Sequence, residues 1–594
     1  MTTRATRSPR RRTVTALFIV LVVLVAFIVR LVDIQVVNAD EHVEDSIALG
    51  LGNSHTLWGT RGEIVDESGQ ELAGSILLYD AQLSPLNVKN FQRTDADGTK
   101  LTVPVADTAA KIASVTGQTA EEVTAIVEDA LAADPDSQYA SLKKGISTEM
   151  YRQLVDLKLP FIYFTPHPAR TYPDGAVAGN LVGFMGSDGE ALGGIEKTQD
   201  ACLAASDGLQ KFQQGKDGVV IPGTEVTDPA IDGGTLQLTI NKDLNWYLQQ
   251  LAAEQGQDMG AQRATITVVE VKTGKIRAAA EWPAMDPNNV SASDPADRYS
   301  HIFTDTFEPG STFKSLTAAA LIDGAGQTPA STVMAPDQVT FANGARVRDG
   351  HPHADLDYTL TGVLIDSSNV GISTFSERMS TQARYDYLKN FGIGQGSAVD
   401  YEGQATGTLY PADEWGAQTA YNTTFGQAVT TTVPELMGAY AAIANDGTRM
   451  PLSLVESCTK PDGTVVTPDL PDPVQVISPE SSKQMREMLE NVATQANYGQ
   501  EIGVPGYRIA VKTGTGEKSD GKGGYKAGLY FTTMIGFVPA DDPQYLVAVT
   551  LDEPTVVRSS TANASAFQKA ITQVVKTYRV MPATSEGPQL PAFG

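Results

Sequence analysis

Glu308-Pro309-Gly310-Ser311-Thr312-Phe313-Lys314, followed by the apolar run from Ser315 to Asp323, decides how this chain folds and what chemistry it can carry. Pro309 and Gly310 punctuate the backbone. Phe313, Leu316, Ala320 and Leu321 then recur at helical spacing, and Gly324 predicts a stop. Ser311 falls in the first turn of a helix buried on most sides, and Lys314, three residues on, carries its amine over the same face. A serine hydroxyl is a weak nucleophile until a neighbouring base takes its proton. A lysine serves as that base only where burial or nearby cations keep it neutral. The helix N-terminus also aims backbone N–H groups at any oxyanion formed there. Taken alone, Ser-x-x-Lys recurs by chance in any long chain, and it reads as well as a helix start with a solvated lysine.

The chain has 594 residues, too many for one domain, with 44 basic and 70 acidic residues. Five of the arginines lie within residues 1–12, which hold no acid; setting these five aside leaves 39 basic against 70 acidic residues. So acidic a body lacks the basic footprint that phosphate binding requires, which argues against nucleic acid as a partner. Val14 to Val29 contains no charge. With Thr13 and Arg30-Leu31-Val32, the segment 13–32 reaches about twenty residues, enough to cross a bilayer as a helix. The arginines before it place residues 1–12 in the cytoplasm. The apolar run is long for a signal peptide, and Asp33-Ile34-Gln35-Val36 offers no small-residue cleavage site. An uncleaved anchor is therefore expected, with the remainder of the chain outside the membrane. Cys202 and Cys458 stand far apart and form neither a disulfide framework nor a metal cluster. They read as two unpaired small apolar residues, although an outside location permits a bridge. His351-Pro352-His353 reads as a loop, because no third ligand stands at metal-site spacing.

Past the anchor, Arg61 to Ala73 alternates strand-like residues around Ser68-Gly69 and predicts a hairpin. Thr119-x-x-Glu122 is a capping box ahead of Val123, Ile126, Val127 and Leu131. Ser147 to Leu157 predicts a further helix with Met150, Leu154 and Leu157 inward. Residues 35–226 offer no nucleophile with a base and no metal set, and read as a spacer or docking module. Thr227-Asp228-Pro229 and Asp232-Gly233-Gly234 mark a boundary. Beyond it come a strand (Leu236, Leu238, Ile240), a helix from Asn241 to about Gln255, and a hairpin of Thr265–Val271 with Ile276–Ala280. Its turn, Lys272-Thr273-Gly274, holds glycine for backbone geometry. Ile365-Asp366-Ser367-Ser368-Asn369-Val370-Gly371 sits between two helical segments and reads either as an N-cap or as a polar cluster with partners to find. Gln418 to Thr432 reads as a loop, Pro434–Ala444 as an apolar helix, and Pro479–Val492 as an amphipathic helix capped by Ser478. Ile509 to Gly516 reads as a strand, Leu529–Phe537 and Tyr545–Leu551 as two more at hairpin spacing, and Ser565–Tyr578 as a closing helix. The proline- and glycine-rich tail after Met581 is expected to be mobile. Antiparallel strands, flanking helices and an all-helical insert give a mixed α/β domain.

Three motifs then stand in one order: Ser311-x-x-Lys314, Ser367-x-Asn369 56 residues later, and Lys512-Thr513-Gly514-Thr515 145 residues after that. On these motifs the chain resembles the class B penicillin-binding proteins, membrane-anchored peptidoglycan D,D-transpeptidases, with the division-type branch favoured. The likeness extends through Arg30-Leu31-x-x-x-Gln35, Arg61-Gly62-x-Ile64-x-Asp66, Arg170-x-Tyr172-Pro173 and Gly194-Ile195-Glu196 to Ala444-Asn445-Asp446-Gly447 and Gly536-Phe537-x-Pro539. It departs at Glu67-Ser68, where the family more often has Arg followed by Asn or Asp. That departure bears on how a pedestal hairpin docks, not on chemistry.

The resemblance implies a penicillin-binding, serine β-lactamase-like transpeptidase domain at 227–580 and an elongated α+β pedestal or dimerisation-type domain at 35–226. The basic tail at 1–12, the anchor at 13–32 and a flexible tail at 581–594 complete the chain. In this family's chemistry Ser311 attacks the penultimate D-Ala carbonyl of a stem peptide. Lys314 is the base, its charge suppressed by burial and by Lys512. Ser367 and Asn369 relay the proton to the leaving amine and hold Lys314 and the peptide amide. Backbone N–H groups of Ser311 and Thr515 form the oxyanion hole. Lys512, with the Thr513-Gly514-Thr515 segment and its hydroxyls, binds the substrate carboxylate. An acceptor amine from a second stem peptide then forms the cross-link, and β-lactams acylate Ser311 because they present a similar carbonyl and carboxylate.

The resemblance implies no metal and no organic cofactor. Its expected partners are D-Ala-D-Ala stem peptides, β-lactams, the membrane, a polytopic SEDS-type glycosyltransferase and other division proteins. An elongation-type transpeptidase, a β-lactam sensor or scaffold, and a β-lactamase share the motifs. A sensor, however, needs a signalling domain on the cytoplasmic side, where only residues 1–12 stand. Residues 35–226 show no glycosyltransferase-like acidic motif, which sets the bifunctional class A enzymes apart.

Overall fold

The computed structural model describes residues 9–33, 53–94, 100–214, 219–522 and 524–594. They fall into two compact units, Met1–Thr60 with Ala205–Asp232, and Arg61–Ala204 with Gly233–Gly594. The first unit contains a helix, Pro9–Val32, and a three-stranded antiparallel sheet of Asn53–Leu57, Gly208–Phe212 and Val226–Asp228. Within that helix the 20 residues Thr13–Val32 are long and apolar enough to cross a membrane, and their side chains stand exposed, Leu17 at 70 %. Residues 1–8 of the basic tail, and Gln35 of the motif that begins at Arg30, lie outside the described residues.

The second unit opens on the expected hairpin. Strand β1 (Ile64–Val65) pairs antiparallel with β2 (Glu71–Leu83). In the turn between them the buried Asp66 accepts from the Ser68 and Gln70 N–H groups at 2.8 and 2.9 Å and from the Ser68 hydroxyl at 2.7 Å. Its other oxygen accepts from the Lys242 N–H at 3.0 Å. Glu67, where the sequence departs from the family pattern, bonds Arg277 Nη1 at 2.6 Å and Asn241 Nδ2 at 2.7 Å. The departure thus ties the hairpin to the sheet and helix that follow it. Along β2 run β3 (Ala140–Ile146) on one edge and β4 (Ile162–Thr171) on the other. Two helices, Val105–Thr116 and Ala120–Ala133, pack there around a separate core that includes Leu83, Ile112, Val123, Leu142 and Phe161. The second of them begins with the predicted Thr119–Glu122 capping box.

Strand β5 (Thr235–Leu238) joins β1 in parallel and leads into helix α1 (Lys242–Asp258). Strands β6 (Arg263–Glu270) and β7 (Ile276–Trp282) start the larger sheet. The helical insert follows: α2 (Phe313–Ala325), α3 (Leu360–Ile365), α4 (Asn369–Ser376) and α5 (Val433–Ala444), then strand β8 (Val455–Thr459) and α6 (Pro479–Gln495). The chain returns as β9 (Ala510–Ser519), β10 (Tyr525–Val538) and β11 (Tyr545–Asp552), and closes with α7 (Ala564–Thr577). The sheet order is β7-β6-β11-β10-β9, antiparallel throughout, so β9 is an edge strand. Helix α2 is buried on every side from Phe313 to Ile322 and emerges from the core only in its last turn. It ends at Gly326, in the left-handed region at φ 64°, two residues past the predicted stop.

Two expectations are corrected. Cys202 and Cys458 are not unpaired: they form a disulfide across 256 residues of sequence. The reason is sheet pairing: β5 sets Leu236 opposite Cys458, while the Gly234 N–H donates to Cys202 O at 2.7 Å. The stretch 418–432 is not all loop, because the short helix Ala417–Asn422 takes up its first five residues. The tail after Met581 lies against the body of the unit through its carbonyls. Asn491 Nδ2 donates to Pro588 O at 2.9 Å, Thr359 Oγ1 to Pro591 O at 2.6 Å, and the Thr359 N–H to Ala592 O at 3.0 Å. Prolines that cannot donate are held here through the carbonyls they keep.

Candidate active site

Ser311 lies in a single 3-10 turn, Gly310–Thr312, that runs straight into α2. Gly310 has φ 54°, and a Cβ there would stand 2.5 Å from Thr515 O. From the other side, a Cβ on Gly514 would come within 2.4 Å of Pro309 O, and one on Gly516 within 2.0 Å of Glu308 O. The glycines of the strand motif therefore let the edge strand β9 lie flat against the serine turn. Underneath, the buried Tyr440 of α5 donates its hydroxyl hydrogen to Thr312 O at 2.7 Å and stands 2.9 Å from Ser315 Oγ. Sequence reasoning missed this support; its signal was a phenol inside an otherwise apolar helix, which must find a partner when buried.

The second motif arrives between α3 and α4. Ser367 has φ 58°, a left-handed conformation that costs a residue with a Cβ about 1–2 kcal/mol. This turn aims both its carbonyl and its hydroxyl at Lys314. Lys314 Nζ stands 2.7 Å from Ser311 Oγ, 2.6 Å from Ser367 O and 3.2 Å from Ser367 Oγ. Lys512 Nζ reaches the same Ser367 Oγ at 3.1 Å and Thr513 O at 3.3 Å. Lys314 is 0 % and Lys512 1 % exposed, while Ser311, Ser367 and Thr515 are only half-buried. The amines form the floor, and the hydroxyls face the opening.

Burial, and then the Lys512 charge, hold the Lys314 amine well below the ordinary lysine range; Asp349 and Asp366 oppose this without reversing it. Burial alone brings Lys512 down to about 7. A neutral Lys314 has two hydrogens and one lone pair. The hydrogens match Ser367 O and Oγ, which leaves the lone pair for the Ser311 O–H. This arrangement can deprotonate a serine.

The other expected site residues stand one step back. Asn369 was expected to hold Lys314; its Nδ2 instead donates to Arg348 O at 3.0 Å, and the three hydrogen bonds of Lys314 go to Ser311 and Ser367. The Thr513 hydroxyl lies against the buried Tyr498 phenol. Thr515 Oγ1 accepts from the Ser560 N–H at 3.2 Å and keeps its own hydrogen for a further acceptor.

Residues 264–573 match the model of the penicillin-binding protein transpeptidase domain, and residues 56–238 that of the penicillin-binding protein dimerisation domain. The chain belongs to the class B penicillin-binding proteins. It is 31 % identical to the penicillin-binding protein PbpB of Mycolicibacterium smegmatis over 89 % of this chain and 85 % of that protein. With the peptidoglycan D,D-transpeptidase FtsI of Escherichia coli K12 it shares 28 % over 95 % of this chain and 91 % of the other. Among solved structures, penicillin-binding protein 3 of Mycobacterium tuberculosis complexed with aztreonam superposes with a TM-score of 0.69 at 26 % identity, covering 91 % of this chain and 100 % of that one. In this penicillin-binding protein three of the motifs outside the cleft meet at one carboxylate. The fully buried Glu196 accepts from Arg61 Nε at 2.8 Å, Arg170 Nε at 2.6 Å and the Tyr172 hydroxyl at 3.3 Å. Arg61, Arg170, Tyr172 and Glu196 thus build the frame, while the chemistry lies elsewhere.

Proposed function

We propose that this penicillin-binding protein is a serine-type peptidoglycan D,D-transpeptidase that cross-links stem peptides through an acyl-Ser311 intermediate during septal wall synthesis. The observation that carries this reading is a buried, carboxylate-free amine, Lys314 Nζ, 2.7 Å from Ser311 Oγ with both of its hydrogens engaged by Ser367. Lys314 takes the Ser311 proton, and Oγ attacks the penultimate D-Ala carbonyl. The Ser311 and Thr515 N–H groups receive the oxyanion; losing one such donor costs about 3–4 kcal/mol. The proton then passes from Lys314 through the Ser367 hydroxyl, which stands between the two amines, to the departing D-Ala nitrogen. An acceptor amine displaces Ser311 from the ester, forms the new peptide bond and returns the proton by the same route. Lys512 with the Thr513 and Thr515 hydroxyls binds the substrate carboxylate, and the free edge of β9 pairs with the peptide backbone. Asn369, at the start of α4, orients the peptide amide.

The likeness to FtsI and PbpB favours the division branch over an elongation-type enzyme. The aztreonam and ampicillin complexes of the Mycobacterium tuberculosis relative support acylation of this serine by β-lactams. Residues 13–32 anchor the chain, with the tail 1–12 cytoplasmic and residues 35–226 and 227–580 outside as pedestal and transpeptidase domains. The Cys202–Cys458 disulfide fits that oxidising side. Glycan strands come from a separate SEDS-type glycosyltransferase that meets the anchor and pedestal.

The full chain in detergent should be labelled covalently by a fluorescent penicillin, and Ser311→Ala should carry no label. Label persisting on the alanine variant would mean that another residue is the nucleophile. Turnover of a D-Ala-D-Ala thioester separates the enzyme from a scaffold, and slow release of bound penicillin separates it from a β-lactamase.

A further inference from the structure

Beside the bonds from the Ser368 N–H to Val363 O and from Asn369 Nδ2 to Arg348 O, both at 3.0 Å, the Ser367-Ser368-Asn369 turn is held from outside the cleft by one carboxylate. Asp349 Oδ2 accepts from the Ser368 hydroxyl at 2.6 Å, and Oδ1 from the Val370 N–H at 2.9 Å. Ser368 Oγ in turn accepts from the Gly371 N–H at 2.8 Å, so it caps α4 while donating to Asp349. The Asp349 N–H donates to Asp337 O at 2.8 Å, which fixes the carboxylate's own backbone. His353 completes the group: Nε2 lies 3.0 Å from Asp349 Oδ2, and Nδ1 2.7 Å from Ala354 O. A carboxylate and a carbonyl only accept, so the doubly protonated ring is the form that satisfies both partners at once. The two side chains are 9 % and 3 % exposed. The other groups facing the ring are Asp366, whose charge acts with that of Asp349, the His351 ring at 5.7 Å, and Tyr358, edge-on at 6.0 Å, which itself donates to Asp366.

Ser367 needs such a brace. Its left-handed backbone is strained, and its carbonyl and hydroxyl bond Lys314 and Lys512. Those contacts serve the reaction; they do not by themselves fix the turn. We propose that Asp349 and His353 are positioning residues for acyl transfer: Asp349 clamps Ser368 and Val370 so that Ser367 keeps its carbonyl and hydroxyl on Lys314, and His353 holds Asp349 in that orientation. The inference rests on the roles given above to Ser311, Lys314 and Ser367. Burial works against the His353 charge, but the bonds to Asp349 and Ala354 O outweigh it and raise the group above 6.5. The brace is therefore complete below that raised pKa. As pH climbs through it, one ring nitrogen is left facing an acceptor with no hydrogen.

The test is single-turnover acylation of the full chain in detergent by a fluorescent penicillin, with the rate constant at saturation separated from the dissociation constant and Ser311→Ala as the blank. Asp349→Asn keeps the volume but turns an N–H toward donors; its saturated rate constant should fall roughly tenfold or more, with the dissociation constant little changed. His353→Ala should lose about as much. His353→Gln, whose amide nitrogen can stand where Nε2 was, should return to within about threefold of the parent at neutral pH. The ratio of His353→Gln to parent should then rise with pH, since only the parent loses its imidazolium, while the lysine titrations common to both cancel. An unchanged rate constant in Asp349→Asn overturns the proposal, as do equal losses in His353→Ala and His353→Gln with a ratio independent of pH. Should Asp349→Asn yield too few competent sites to count, Ser368→Ala deletes one hydroxyl of the same brace, and an unchanged rate constant there is equally fatal. Label on Ser311→Ala would instead sink the reading beneath the proposal.

Discussion

Lys512→Met removes one buried amine and keeps an unbranched side chain of similar length. In the parent, burial moves this amine from 10.5 to about 7, a difference worth about 5 kcal/mol. The side chain is 1 % exposed, so solvent screening discounts little of it. Because the unfolded chain binds this proton more tightly than the folded one, stability rises as pH climbs from about 7 to about 10.5 and is flat below that window. Near neutral pH almost the whole cost is present. Methionine removes it and forfeits two hydrogen bonds, to Ser367 Oγ at 3.1 Å and Thr513 O at 3.3 Å, each worth about 1 kcal/mol. The net expectation is a variant about 2–3 kcal/mol more stable than the parent at and below neutral pH, with the gain vanishing toward the alkaline end.

The same substitution should cost acylation at least about a hundredfold, since it strips a cation from the carboxylate site and a partner from Ser367. Urea unfolding of parent and variant across the window gives the first quantity, and penicillin labelling gives the second. A variant less stable than the parent at acid pH, or a gap that stays constant as pH rises, would refute the reasoning. Either result would mean that the amine is solvated in the fold and is no liability there.

Glu196→Ala should cost about 3–5 kcal/mol, because it leaves Arg170, 6 % exposed, without its carboxylate. Acylation per competent site should not change, and a melt combined with active-site counting separates the two effects. Gly310→Ala forces a Cβ into Thr515 O from a left-handed backbone, so labelling by penicillin should fall roughly tenfold or more; labelling at the parent rate would refute the close packing of β9 on the serine turn. A chain ending at Gly587 loses the carbonyls of Pro588, Pro591 and Ala592, worth about 3 kcal/mol together. Amide exchange in α3, whose N-cap Thr359 binds two of them, should accelerate; unchanged protection there would show that the tail does not hold this helix.

What could be read from the sequence alone was what is local. The Thr119–Glu122 box, the Ser478 cap before Pro479 and the apolar face of α6 each need only a few neighbouring residues, and each stands where periodicity places it. The Ser311–Lys314 pair is local too, since three residues of helix suffice to bring hydroxyl and amine to 2.7 Å. Ser367 and Lys512 reach the same cleft only through topology, so the order of the motifs, not any one of them, pointed there. The disulfide was hidden for the same reason: nothing within 256 residues announces that Leu236 will lie opposite Cys458. The tail and His353 were hidden differently. The tail is expected to be mobile and His353 to lie in a loop; their contacts are made by carbonyls and ring nitrogens whose partners no local pattern announces. Asn369 was placed in the cleft by resemblance; that its Nδ2 would also be held by Arg348 O depends on a backbone 21 residues away that no local pattern announces.

One feature of the cleft speaks for catalysis independently of any relative. A fold gains nothing in stability from sealing two lysines in its core without a carboxylate bonded to either, and methionine would fill the same space at lower cost. Elsewhere Arg61 and Arg170 meet Glu196, and Arg508 meets Glu490 through two bonds of 2.6 and 2.7 Å, whereas the buried Arg384 meets only Ala420 O and Thr423 Oγ1. Lys314 and Lys512 are instead given hydroxyls and carbonyls, partners that tolerate a neutral amine. A charge suppressed by burial, beside a nucleophile that opens to solvent, is what proton abstraction requires and what mere packing would remove.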